Sequence, residues 1–89
     1  MFYVYILKSK KDNNLYIGST NNLRRRIVEH KNGKVGNTKH RLPLDLIYYE
    51  AYEDETDARE REGNLKHSGS VYNGLIKRIK RSINKLKIP

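Results

Sequence analysis

The sequence predicts an α+β domain in which a small, mainly antiparallel three-stranded sheet is flanked by helices in the order ββαβαα. Three observations carry this reading. Two runs rich in β-branched and aromatic residues, 2–8 and 15–19, stand on either side of a polar turn. A third such run, 44–52, begins just after Pro43. The stretches around it place apolar residues at three- and four-residue spacing. A chain of 89 residues suffices for one domain and is too short for two, so residues 1–89 are expected to form a single unit.

In residues 2–8, Phe2, Val4 and Ile6 fall on one face, and Tyr3, Tyr5 and Leu7 on the other. Ser9–Asn14, with Asp12-Asn13-Asn14, is a turn by composition. It returns Leu15–Ser19 as the second arm of a hairpin, with Leu15 and Ile17 pointing one way and Tyr16 and Gly18 the other. Thr20-Asn21-Asn22 offers side-chain oxygens to cap a helix over Leu23–Lys31, which Asn32-Gly33 ends. Leu23, Ile27 and His30 recur on one side of it. Gly33–Arg41 reads as a basic loop. Pro43 then sits at the start of the third strand, where its missing N–H does least harm.

Asp54 or Thr56 caps a second helix running to about His67, with Ala58 and Leu65 as its apolar contacts. Gly63 weakens that helix by roughly 1 kcal/mol relative to alanine. Ser68-Gly69-Ser70 breaks and restarts the chain. Val71–Lys87 reads as the strongest helix, with an apolar stripe of Leu75, Ile76, Ile79, Ile83 and Leu86.

Composition narrows the function. The absence of cysteine removes disulfides and thiolate metal sites. The longest apolar run, Phe2–Leu7, is too short to span a bilayer, so the expectation is a cytoplasmic protein with no membrane partner. Charge is unevenly spread. Residues 1–49 carry ten basic and three acidic side chains, residues 50–62 two and seven, and residues 63–89 seven and none. Two basic blocks around an acidic island point to a polyanion partner with a cation held near it. His30, His40 and His67 match no common zinc spacing.

Four segments in order carry a resemblance. Tyr3-Val4-Tyr5 and Tyr16-Ile17-Gly18 lie on paired strands. Asn22–His30 then places Leu23 three residues before Arg26 and His30 four after it. Ala58-Arg59-Glu60-Arg61-Glu62 is followed by Leu65-Lys66. Together they resemble the GIY-YIG nuclease superfamily, most closely its short stand-alone bacterial members related to the nuclease domain of the repair protein UvrC. In this chain Tyr3 stands in the place of the first triplet's glycine and Val4 in that of its isoleucine. Tyr3 is expected to crowd a place that family members leave open.

The resemblance implies a metal-dependent DNA endonuclease, with structure-specific cleavage in repair or processing as its setting and a repair protein as a candidate partner. It implies roles as well. Tyr5 is the general base or proton relay, Tyr16 and His30 orient and deprotonate the attacking water, and Arg26 holds the phosphate. Glu62 binds one divalent ion, Mg²⁺ or Mn²⁺, and Asn73 supplies a completing side-chain amide.

Spacing alone agrees in part. Arg26 and His30, four apart, share a helix side, and Glu62 lies on the core-facing side of its helix, a costly place for an uncompensated carboxylate. Arg24, Arg25, Lys39, Arg41, Lys66, Lys77 and Arg81 are the candidate phosphate contacts. The alternative reading is a non-catalytic DNA- or RNA-binding module that uses the same basic surface.

Overall fold

A computed structural model describes residues 1–85. Strand β1 (Phe2–Ser9) is central. It pairs antiparallel with β2 (Leu15–Thr20) on one side and with β3 (Leu44–Tyr52) on the other, giving the order β2-β1-β3. Helix α1 (Leu23–Lys31) follows the hairpin, and α2 (Glu55–His67), α3 (Gly69–Arg78) and α4 (Lys80–Asn84) follow β3. The α+β class and the ββαβαα order are those the sequence predicts. No helix among the described residues is long and apolar enough to cross a membrane.

The alternation read from β1 divides the interior in two. Val4 and Ile6 join Ala58, Leu65, Leu75 and Ile79 beneath α2 and α3. Tyr5 and Leu7 join Leu44 on the opposite face, with Tyr16, Leu23 and Ile27 packed against them under α1. The caps fall where side-chain oxygens were available. Asn22 accepts from the backbone N–H of Arg25, Asp54 from Thr56, and Ser68 from Val71. Gly33 closes α1 at φ +72°, a left-handed value that costs glycine little.

Two features depart from a simple reading. A register shift opposite Ile6 and Leu7 puts a bulge in β3, so Ile47 and Tyr48 both face α2 and α3 while Leu46 faces α1. Beyond the bulge, Glu50 turns to the α2 side. There its carboxylate accepts from Arg61 Nε and Nη2 at 2.9 and 3.0 Å and from the hydroxyls of Tyr48 and Tyr52. Burial pushes Glu50 upward, but these donors more than offset it and hold the carboxyl below its ordinary range. The ion pair fastens α2 to the sheet.

The second departure is in the last helix, expected as one element over Val71–Lys87. It breaks at Ile79, where φ −107° and ψ 22° end α3 and begin α4. Leu75 and Ile79 are both buried in the core, and the break lets the following turn pack along β3 with Ile83 inward. Lys8 Nζ donates to the Ile83 carbonyl at 2.9 Å, satisfying an acceptor at the C-terminal end of α4. The predicted contacts of Leu86 and Lys87 lie outside the described residues.

Of the six glycines, Gly18 is the one that leaves no room for a Cβ. It pairs with Tyr5 across the hairpin, and a methyl group on it would lie 2.5 Å from both Cζ and the hydroxyl oxygen of Tyr5. Gly18→Ala is therefore expected to cost about 2 kcal/mol, a fall in Tm of roughly 8–16 °C. Gly74→Ala, in α3 with nothing within 4 Å, is expected to gain up to about 1 kcal/mol. Parallel thermal melts of the two variants check the contrast.

Candidate active site

The Tyr5 ring, free to cross Gly18, carries its hydroxyl to Nε2 of His30 at 2.8 Å. On the other side of the imidazole, Nδ1 meets Thr38 Oγ1 at 2.7 Å. His30 and Thr38 are fully buried and Tyr5 is 1 % exposed, so this is a dry chain of three groups linking β1, α1 and the loop after α1. Tyr16 completes the cluster. Its ring centroid lies 6.4 Å from that of Tyr5 and 5.2 Å from that of His30. Tyr5, Tyr16 and His30, chosen from sequence, are thus in mutual contact.

Burial sets the protonation of the chain. Desolvation, reinforced by the positive charge of Arg26, lowers His30 to about 4, so the imidazole is neutral at neutral pH. Desolvation also raises Tyr5 to about 12, although the positive charge of the neighbouring Arg26 guanidinium works against that rise. Tyr5 is therefore a neutral phenol. A neutral imidazole has one N–H, so one arrangement has Nδ1–H donating to Thr38 while Nε2 accepts from Tyr5.

Arg26 joins the buried chain to solvent. Its guanidinium lies against Tyr5 and pairs with Glu29 at 3.2 Å, and the two side chains are 37 and 38 % exposed. A cleft of about 280 Å³ opens there between α1 and α2, with Arg25, Arg26 and Glu29 on one wall, Glu55 and Arg59 on the other, and Ser19 between them. Ser19 Oγ donates to Glu62 Oε1 at 2.7 Å, and Lys66 Nζ holds Oε2 at 2.9 Å. Glu62 is half-buried and near enough to contribute to the rise in Tyr5. Edge strand β2 accounts for the convergence: Gly18 serves the α1 face and Ser19 the α2 face of the same rim.

Glu62 and Ser19 offer hard oxygen donors. Among the described residues no group of three or more His, Asp or Glu side chains could form a metal cage. Such a set fits an ion like Mg²⁺ that keeps most of its waters, and it does not fit a tetrahedral zinc site.

Other expectations are placed differently. Asn73 is exposed on α3, and among the described residues no hydrogen bond joins it to Tyr5, Arg26, His30 or Glu62. Arg24 and Arg25 are exposed on α1 beside the cleft, and Lys39 is exposed in the following loop. Arg41 is drawn into a two-pronged pair with Asp12, at 2.8 and 3.3 Å, and Lys66 is occupied by Glu62. Lys77 and Arg81 are exposed on α3 and α4, across the sheet from α1. Tyr3 packs its ring edge to face on Tyr49 and also lines the cleft at Arg26.

Sequence reasoning missed Thr38 and Ser19. Both are short hydroxyl residues in segments read as loop or strand, and neither carries periodicity or charge to mark it.

The fold and this cluster define a class. A family model described as the GIY-YIG catalytic domain matches residues 1–84, and the chain belongs to that family, which is of nuclease type. Among individual proteins it is similar to a UPF0213 protein of Clostridium perfringens, 48 % identical over 67 residues that cover 74 % of this chain and 71 % of that one. A UPF0213 protein of Natronomonas pharaonis is 38 % identical over 65 residues, covering 72 and 75 %. Among solved structures, the solution NMR structure of a UPF0213 protein from Bacillus halodurans matches with a TM-score of 0.58 and 32 % identity, each chain covered in full.

The state of His30 has a measurable consequence. Its folded value of about 4 lies below the unfolded 6.5, so between those values the unfolded chain binds more protons. Stability contributed by the neutral imidazole is complete above about pH 6.5 and is lost as pH falls through 4. The difference amounts to about 3 kcal/mol. Denaturant melts at pH 7 and pH 4 should show this loss, and it should shrink in His30→Gln. The His30 ring resonances should stay constant from pH 8 to 5.

Proposed function

We propose that this chain is a metal-dependent endonuclease that hydrolyses DNA phosphodiester bonds, with residues 1–89 as one catalytic domain and DNA repair or processing as its setting. The observation that carries the reading is the buried Tyr5–His30–Thr38 chain opening at Arg26 onto a cleft. A structural tyrosine has no need of a neutral imidazole at its hydroxyl and a guanidinium at its mouth.

In this reading a phosphodiester in the cleft takes Arg26 from Glu29, and the guanidinium stabilises charge growing on the phosphate oxygens. Tyr5, no longer covered, faces the attacking water. Because its phenol is neutral, Tyr5 accepts the water's proton only as it passes its own to His30 Nε2, and the Nδ1–H bond to Thr38 keeps that lone pair aimed. Tyr16 packs both rings in place. Glu62 and Ser19 would hold Mg²⁺ or Mn²⁺, which supplies Lewis-acid stabilisation of the phosphate and leaving oxygen when bound. Lys66 must then release Glu62. Arg24, Arg25 and Lys39 would contact flanking phosphates.

A second reading, a non-catalytic DNA- or RNA-binding module, draws on one observation: Lys66 already neutralises Glu62. One assay separates the two. End-labelled linear, flapped and branched DNA is incubated with the purified chain in Mg²⁺ or in EDTA. Cleavage in Mg²⁺ alone is expected, with Tyr5→Phe and Glu62→Gln each slowing it by about 100-fold or more. Binding by these variants should stay within about threefold. Folded protein that cuts none of the substrates would overturn the catalytic reading.

Affinity carries its own test. With several phosphates neutralised, raising salt from about 50 to 200 mM should weaken binding by at least about tenfold, and removing the Arg24 and Arg25 charges should flatten that dependence.

A further inference from the structure

Beside the cleft lies a second groove, of which only Arg24 entered the mechanism above. It encloses about 570 Å³ between α1 and the outer end of β3. Tyr3 and Tyr49 form its floor, Leu23 and Val28 one wall, and Arg24 and Lys31 its basic rim. Tyr49 is 52 % exposed and Val28 51 %, the most exposed large apolar side chains after Met1 among the described residues. The Tyr3 and Tyr49 rings meet edge to face, with centroids 6.0 Å apart at 64°. Among the described residues no acidic side chain lines the groove. Tyr3 and Asn21 line both this groove and the cleft that holds Arg26, so the two are continuous.

We propose that this groove takes the base of an unpaired nucleotide next to the phosphate held at Arg26, which makes single-stranded DNA, or an unpaired segment of duplex, the preferred substrate. The inference rests on the reading of the adjacent cleft as the hydrolytic site. Three physical points favour a base over an apolar segment of a protein partner. The floor is aromatic, and stacking on tyrosine accepts any base because each has a π-face. The rim is cationic without acid, matching phosphates on either side of that base. The groove also continues from a site whose arginine suits a phosphate. In an intact duplex both faces of a base are covered by its neighbours, so only an unstacked base can lie on Tyr49. Tyr3, standing where the family's first triplet has glycine, supplies the ring that braces Tyr49.

Binding in EDTA tests this without any cleavage. The purified full chain is titrated by fluorescence anisotropy with a labelled single strand, the same strand carrying abasic nucleotides, and its blunt duplex. Tyr49→Ala is expected to weaken single-strand binding about tenfold and duplex binding by less than about twofold, with Tyr49→Phe close to wild type. The abasic strand should bind wild type about as weakly as the intact strand binds Tyr49→Ala, and the variant should not distinguish the two strands. Equal loss for single strand and duplex, or no loss for either, overturns the groove as a base site. So does an abasic strand that binds wild type as tightly as the intact one. Mg²⁺-dependent cleavage with Tyr49-independent binding removes the groove and keeps the hydrolytic reading. Tyr49-dependent single-strand binding with no cleavage does the reverse.

Discussion

Where β1 and β2 pair, the ring of Tyr5 passes over the Cα of Gly18 at a distance no Cβ could share. That approach fixes where the hydroxyl ends, and the hydroxyl in turn fixes His30, the innermost residue of α1. His30 is anchored from behind by Thr38, so the loop after α1 is tied to the same point. A strand, a helix and the loop that follows the helix are thus joined through one imidazole to the tyrosine oxygen. The desolvation that makes this arrangement costly for charge also keeps it neutral, with imidazole and phenol both uncharged at pH 7. Arg26 brings the charge, and it does so at the solvent boundary.

Much of this was legible in the residues. The strands announce themselves by β-branched and aromatic alternation, and the third strand, 44–52, keeps its predicted limits because Pro43 sets one end and the Asp54 cap follows the other. Tyr5, Tyr16 and His30 were grouped by the family resemblance, and parity within strands and four-residue spacing within helices agreed with that grouping without requiring it. The register that joins them was not fixed by anything local. Nor was the break at Ile79, since its apolar stripe runs on without a glycine or proline to mark where α4 turns to pack along β3. Thr38 was hidden for a related reason. One hydroxyl becomes significant only when tertiary folding places it 2.7 Å from an imidazole.

The charge pattern was informative in sum and misleading in detail. An acidic island between basic blocks suggested a polyanion partner with a cation held near it. Three of those carboxylates have structural partners, with Glu50 clamping Arg61, Asp54 capping α2 and Glu55 pairing with Arg59 on the cleft wall, while Glu62 meets Ser19 at the rim of the site. The basic blocks separate as well, with the α1 arginines beside the cleft and the α3 and α4 cations on the far side of the sheet. The sequence could count charges along the chain. It could not say which face each would occupy once the sheet lay between them.

The bulge at Ile47 bears on how much the protein can tolerate changes of length. Before it, even-numbered residues of β3, Leu44 and Leu46, face α1; after it, Tyr48, Glu50 and Tyr52 face α2. One extra residue thus acts as a slip joint between two halves of a strand. The half nearer the 32–43 loop is seated by its leucines, and the distal half by the Glu50–Arg61 clamp. An insertion or deletion in that loop can be taken up at the joint without turning Tyr49 from the α1 side or Glu50 from the α2 side. Loop length is thereby uncoupled from the side-chain order on which both faces of the sheet rely.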